Sequence, residues 1–397
     1  MSARVVVAGA GPVGLTAALT LARDGHAVTV LEAGDTLASE SRASTYHPPS
    51  LEMLAELGVL DDLLERGIVS TRFQYRDRRT GPIAELDLGS LADDTPYPFR
   101  VQCEQSKLTP ILLDRLQTYA DAEVVFGEPV TGVEQGEDGV RVTTSTGRSW
   151  TADWVVGADG ASSAVRKSIG AEFEGMTYPE RFLVVSTHED LATVLPGIAD
   201  VNYVYDPEEW LVLLRTPEHW RILFPTDPDS PDEAETAPER VQARLAEVAD
   251  LGRPWDLLHS SLYRVHQRVA DRFRVGQVVL VGDAAHVNNP LGGMGMNSGL
   301  HDAVLTAGAL ADLLAGRAGL DELDTVLAAR RDVARSYVKT VTHDNWKQLR
   351  EDDEEVRAAH HAELRALAAD PVAARAYLRR TSMIDSLRPL EAEATRS

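Results

Sequence analysis

Hydrophobic residues recur at two periods along this chain, and each change of period marks an element. Residues 4–8 are a short β-branched run, residues 12–23 carry helical spacing, and residues 26–31 form a second strand pattern ending at Glu32. A polar loop over residues 41–49 leads into a helical pattern over 50–57 that stops at Gly58. Alternation with turn signals over 68–102 predicts strands of a separate sheet, and a helix follows over 108–120. Strand patterns return at 124–126, 130–135 and 140–145, the last two joined by a tight turn, and residues 154–156 form another apolar run. Residues 201–205, 210–215 and 220–225, separated by Asp206-Pro207 and Thr216-Pro217 turns, predict an antiparallel meander with an aromatic-rich face. An acidic, proline-rich loop over 227–239 precedes a helix over 240–249. Past Asn297 the pattern is helical to about Gly316, helical again over 322–369, and predicts a last helix over 371–388 with a frayed end. The acidic run 351–355 reads as a solvated helix face or a bend.

Composition narrows this picture. With 397 residues, 44% of them hydrophobic, the chain can form two domains or one large domain with an inserted module. A formal net charge of −23 excludes easy association with nucleic acid or an anionic membrane. Cys103 is the single cysteine, so an intramolecular disulfide and a cysteine-based zinc site are both excluded, and no metal is expected. Its alternating context makes it a small core residue. The apolar stretch 5–22 imitates a signal-peptide core, but its spaced glycines and the strand that follows fit a βαβ unit better. The expectation is a cytoplasmic protein.

Three turns carry the chemistry. The first is Gly9-x-Gly11-x-x-Gly14 between a strand and a helix, with Glu32 placed 23 residues after Gly9. Gly9 permits the tight turn, Gly11 lets a pyrophosphate approach the backbone, and Gly14 lets helix and strand pack. The helix N-terminus offers free N–H groups to phosphate, and the acid accepts from ribose hydroxyls. This fingerprint alone does not separate NAD from FAD. The second turn is Asp159-Gly160-x-x-Ser163-x-Val165-Arg166, and the third is Gly282-Asp283-Ala284-Ala285-His286, which runs on through Pro290 to Gly293-Met294-Gly295-Met296-Asn297.

In order and spacing, these turns resemble the single-component flavoprotein monooxygenases, the para-hydroxybenzoate hydroxylase-like aromatic hydroxylases, from residue 4 to roughly residue 310. The resemblance implies an α/β fold with a Rossmann-type FAD-binding domain, an inserted mixed or antiparallel β-sheet substrate domain, and C-terminal helices. The FAD-binding domain would take residues 1–70, 103–171 and 276–320, the substrate domain residues 71–102 and 172–275, and the helical segment residues 321–397. It implies FAD as cofactor and NAD(P)H as transient co-substrate, with O2 activated as a flavin C4a-hydroperoxide that hydroxylates an aromatic, phenolic small molecule. By the same resemblance Gly9, Gly11, Pro12, Val13 and Gly14 hold the pyrophosphate, while Glu32 and Ala33 meet the adenosine ribose. Arg42 lies near pyrophosphate and flavin, Gln105 meets the ribityl chain, and Arg166 supports the turn of Asp159. Asp159 and Asp283 serve the dinucleotide, and Pro290, Gly293, Gly295, Met296 and Asn297 flank the ring. Met294 replaces the glutamine that many relatives carry.

Substrate-facing candidates are Tyr203, Tyr205, Trp210, Trp220, Phe224 and Met294, with Arg215 or Arg221 as a carboxylate anchor. His286 reads as a hydrogen-bonded packing residue, and no catalytic base is assigned. Other flavin chemistry on the same fold (a halogenase, epoxidase or reductase), a nicotinamide-dependent dehydrogenase and a non-catalytic flavin-binding protein remain as alternatives.

Overall fold

The computed structural model describes residues 3–39 and 43–387. Arg42 and the expected frayed end lie outside them, as does the last residue of the helix expected over 371–388.

Valine-rich strands too apolar to face water build a six-stranded sheet in the order Arg274–Val275, Val278–Leu280, Trp154–Gly157, Arg4–Ala8, Ala27–Leu31, Ala122–Val125. All neighbours are parallel except the hairpin at the first edge. Val5, Val7, Val28, Val30, Val155 and Val279 are sealed between covering layers, as expected for a parallel sheet buried on both faces. The register matters for function. Ala8 pairs with Leu31 on one side and Gly157 on the other, and Gly157 pairs with Leu280. Four strands therefore end side by side, and all three glycine–acid turns leave the same carboxyl edge.

The helix Pro12–Arg23 begins directly at that edge, and the helix Met294–Leu314 crosses it. Their approach is set by glycine: a Cβ on Gly299 would stand 2.6 Å from Val13 Cγ2. Val13 is wedged there, against Gly282 as well.

The second large sheet has eight strands, in the order His286–Val287, Leu257–Ala270, Phe173–Thr187, Trp220–Pro225, Leu211–Arg215, Val201–Tyr205, Arg72–Asp77, Gly81–Asp87. The meander over 201–225 forms as the pattern predicts. The alternating stretch 68–102 divides between two sheets. Residues Arg72–Asp77 join the eight-stranded sheet by parallel pairing with Val201–Tyr205, whereas Ile68–Ser70 and Arg100–Gln102 form a small sheet with Thr45–Tyr46. Pairing between segments this distant leaves no trace in local alternation.

The strand alternation also gives the eight-stranded sheet two different faces. One carries Tyr75, Tyr203, Tyr205, Trp210 and Val212 towards the C-terminal helices. The other packs Trp220, Ile222 and Phe224 under the helix Pro238–Val248. The helical pattern over 322–369 is interrupted: after a π-helical turn at Val333–Val338, a helix ends at Leu349 and the next starts at Glu354. Asp353 caps that start by accepting from the Glu355 and Val356 amides, so part of the acidic run is a break between helices.

Candidate flavin and substrate site

The glycine loop is a preformed cradle. Gly9 has φ +102°, and a Cβ there would stand 2.5 Å from the Ala158 carbonyl oxygen; one on Gly14 would collide with the Gly9 carbonyl. Gly11 differs, because a Cβ on it meets no protein atom within 4 Å. Its open side faces a crevice of ≈ 300 Å³ lined by Gly9, Gly11, Glu32, Ala33, Asp159 and Ser162 among others. Bare backbone, a helix N-terminus with Pro12 at its first position, and two carboxylates are the donor and acceptor set of a dinucleotide. The residues present fit FAD.

Each acid at this edge is held in place. Glu32 accepts from the Ala10 amide at 2.7 Å and from the Gly34 amide at 2.9 Å. Asp159 accepts from Ser163 Oγ at 2.5 Å and from the Ala164 and Val165 amides at 2.7 and 3.1 Å. Arg166 donates to the carbonyls of Ala161 at 2.8 Å and Ala284 at 2.9 Å, and its guanidinium lies over the Phe173 ring. One side chain thus links the second turn to the third.

The third turn is fixed from the helix Met294–Leu314. Asp302 accepts from the Gly282 amide and lies 2.6 Å from His286 Nε2, while its other oxygen accepts from Arg330 Nε at 2.7 Å. Burial disfavours the Asp302 charge, but His286 and Arg330 outweigh it and hold the carboxyl down to about 2. His286 is thus tied to the buried Asp302, and Asp283 stands exposed at the strand end between Gly282 and Ala284.

At the far end of the edge, Gly292 and Gly293 take left-handed backbone at φ +105° and +65°, so the chain can turn into the helix. Asn297 clamps this turn: its Nδ2 donates to the carbonyls of Thr45 and Gly293, and its Oδ1 accepts from the His47 amide. Gly292, Gly293, Gly295 and Met296 stay partly accessible, as does Pro290. Gln105 opens the helix Gln105–Leu116 with its side chain half-buried.

The substrate candidates lie in different parts of the molecule. Met294, the first residue of its helix, is fully buried and packs with Val333, Val338, Val341 and Met383 of the C-terminal segment. Phe224 lies on the opposite face of the sheet, beneath Val241 and Leu245. Arg215 ends its strand exposed, 3.6 Å from Asp200. Tyr205 bonds to His360 Nε2 at 3.0 Å, and Trp210 packs edge-on against Phe182; both are interior. Of the candidates on the sheet, Tyr203 is the one that faces the glycine turn. Burial raises its hydroxyl pKa, and the Arg100 charge together with hydrogen bonds from Arg100 and the Gly292 amide pull it back.

Two residues near this turn had no motif to announce them. His47 lies 2.9 Å from the Gly292 carbonyl through Nε2, and burial with the Arg100 charge holds its pKa well below the usual histidine value. Arg100 sits over the Phe73 ring, 4.4 Å from guanidinium carbon to centroid. The only signal for Arg100 was a charged residue at an inward position between apolar neighbours.

Fold and site together define a class: a flavin-dependent monooxygenase acting on aromatic compounds. Residues 2–341 match the family model described as "FAD binding domain", and the chain belongs to that family of FAD-dependent aromatic hydroxylases. It is 36% identical over 355 residues to 6-hydroxy-3-succinoylpyridine 3-monooxygenase of Pseudomonas putida, covering 88% of this chain and 89% of that one. Para-nitrophenol 4-monooxygenase of a Pseudomonas species is 33% identical over 395 residues, covering 98% and 97%. The crystal structure of p-nitrophenol 4-monooxygenase from Pseudomonas putida superposes with TM-score 0.90 at 32% identity, covering 96% of this chain and 98% of that one. The fold is thus the α/β, para-hydroxybenzoate hydroxylase-like architecture, and FAD is the cofactor. Among the described residues no helix is long and apolar enough to cross a membrane, and no cluster of His, Cys, Asp and Glu is suited to a metal ion.

Proposed function

We propose that this enzyme hydroxylates a small phenolic ring, with NAD(P)H and O2 as co-substrates, at a pocket between the Pro290–Met296 turn and the tyrosine face of the eight-stranded sheet. The observation that carries the reading is the common carboxyl edge: three glycine–acid turns arranged along one parallel sheet, ending at a glycine turn beside Tyr203. The names of the relatives, a hydroxypyridine and a nitrophenol monooxygenase, support a hydroxylated ring as substrate.

FAD, when bound, supplies the electron transfer and oxygen activation. The chain supplies binding and orientation. The Gly9–Gly14 loop and the first turn of its helix would hold the pyrophosphate, Glu32 the ribose, and Asp283 the hydroxyls or phosphate further along. Backbone amides at the start of the helix Met294–Leu314 would stabilise negative charge on the ring. Asp302, Arg166 and Asn297 position these groups without touching the ligand. The tyrosine face excludes water from the reacting ring. A phenol is a stronger nucleophile when its hydroxyl has lost its proton, and Tyr203 Oη is the group placed to hold that oxygen. In domain terms, residues 71–102 and 172–275 would form the substrate module and residues 1–70, 103–171 and 276–320 the flavin module.

The test is a panel of phenols offered to the FAD-loaded protein with NADH or NADPH, scored by nicotinamide oxidation and by mass spectrometry. A product heavier by one oxygen from at least one phenol is expected. Nicotinamide oxidation that no phenol accelerates, with no oxygenated product, would sink the reading.

A further inference from the structure

Arg100 is an ion without a counter-ion. It is 3% exposed, and its Nε has no hydrogen-bond partner. Among the described residues the ionisable groups that act on it are tyrosines and not carboxylates, in a chain that carries 62 acidic residues. The groups that face its guanidinium are the phenols of Tyr203, Tyr75 and Tyr377, the Phe73 ring beneath it, and His47. None of these supplies a negative charge, since burial raises all three tyrosine hydroxyls. Burying an unpaired guanidinium is costly, so such a residue persists where an anion arrives to meet it.

The surroundings indicate which anion. The Tyr203 hydroxyl faces Arg100 and the backbone of Gly292, and His47 Nε2 lies 2.9 Å from the carbonyl of the same glycine. His47 Nδ1 is also buried without a partner. These groups converge at the turn proposed above to border the flavin ring, and aromatic side chains form the remaining walls: Tyr75 stacks on Tyr203 at 5.4 Å, with Phe73 edge-on to it. A flat ligand bearing one negatively charged oxygen matches both the charge and the walls. From Arg100 with its unpaired Nε, set among Tyr203, Tyr75 and Phe73 beside Gly292, we infer that this arginine is the anion-recognising residue of the substrate pocket and that the enzyme takes its aromatic substrate as the anion. The inference rests on the proposed pocket at this turn. It places selectivity on the small strand Arg100–Gln102 and not on the strand-end arginine Arg215.

Binding to the oxidised, FAD-loaded enzyme tests this without turnover. Three ligands of similar shape are titrated: 4-nitrophenol, benzoate and nitrobenzene, which carry a phenolate oxygen, a carboxylate and no charge respectively. The ionisation of bound 4-nitrophenol is read from its own absorption band below its solution pKa. The native enzyme is expected to bind at least one anion more tightly than nitrobenzene and, if 4-nitrophenol is that ligand, to hold it ionised. Arg100→Gln should reduce that preference by roughly 10- to 100-fold, the loss of one charge-assisted hydrogen bond, and leave nitrobenzene affinity within about 3-fold. Arg100→Lys should restore part of it, as a retained charge does and a merely structural role does not. A preference lost for 4-nitrophenol identifies a phenolate, and one lost for benzoate a carboxylate. Native enzyme that binds both anions no better than nitrobenzene overturns the inference even if neither variant folds, and so does Arg100→Gln with its preference intact. Hydroxylation of a phenol alongside either result removes the inference alone; an Arg100-dependent preference with no hydroxylation of any phenol removes the functional reading alone.

Discussion

Glycine substitutions separate the demands of the fold from those of the ligand. At Gly14 a methyl group collides with the Gly9 carbonyl, so Gly14→Ala should destabilise the protein itself, by about 1–3 kcal/mol as for overpacking of a tight interior. At Gly11 the backbone is extended, with φ −69°, and the space around a Cβ is empty of protein. Gly11→Ala should therefore leave unfolding of the flavin-free protein unchanged and weaken FAD binding, read by fluorescence of flavin released on dilution. Equal flavin affinity in that variant would mean the pyrophosphate does not pass over Gly11. The fingerprint glycines were legible in the sequence because their spacing at one strand–helix turn is local, whether the demand comes from the backbone, as at Gly9 and Gly14, or from the ligand, as expected at Gly11. The packing of Met294 under the C-terminal segment and of Phe224 under the helix Pro238–Val248 was not legible, because a residue's neighbours in sequence do not reveal which face of a helix or sheet another element will cover.

At the scale of elements, the helix Met294–Leu314 holds the third turn with buried titratable groups, and these give stability a pH dependence. Burial holds His301 down to about 3, next to Ser50 Oγ at 3.0 Å, with Arg330 reinforcing the effect. Its folded pKa is depressed, so below about 6.5 the unfolded chain takes up a proton that the folded protein refuses, and stability falls with pH. His47 shifts in the same direction. Asp302 has the opposite consequence for timing: its contribution is intact above about 3.8 and is lost only as pH approaches 2. Unfolding by urea at fixed saturating FAD should thus weaken between about pH 7 and about pH 5.5, by roughly 1 kcal/mol for each buried neutral histidine. His301→Gln should flatten this slope in part; an unchanged slope would show that His301 charges freely. The helix itself was readable from its spacing. Its partners Thr45, His47 and Arg330 were not, because the hydrogen bonds and ion pair that join them span long stretches of sequence.

Across the whole molecule, the C-terminal helices complete the tyrosine face. Asp94, almost buried, pairs with Arg375 at 2.7 Å and with Arg379, both on the helix Pro371–Thr381, and Tyr377 of that helix meets Tyr75 hydroxyl to hydroxyl. Asp94→Ala removes the buried acceptor shared by both arginines, leaving Arg379 with Asp385 and Arg375 with the exposed Asp93, and should cost about 1–3 kcal/mol. The expected readout is faster proteolytic cleavage after residue 350 and weaker binding of phenols, with FAD content retained. Cleavage at the native rate would show that the helix is docked by its apolar face alone. The Rossmann half of the molecule and the meander were legible because hydrophobic period and turn residues report them locally. The division of residues 68–102 between two sheets was not, since it is decided by a parallel pairing with Val201–Tyr205 far along the chain.

The eight-stranded sheet ends on His286–Val287, paired through Arg268 and Val269 to the long strand Leu257–Ala270. The segment that follows Asp283 is therefore also the last strand of the sheet that carries Tyr203. A recombinant chimera that swapped substrate specificity between relatives by cutting at residue 276 would sever that ladder and leave each parent's flavin turn hydrogen-bonded to a foreign edge. A cut at residue 291 would instead break the pairing of Val278–Leu280 with Trp154–Gly157, so chimeras made at either boundary should carry less flavin than their parents.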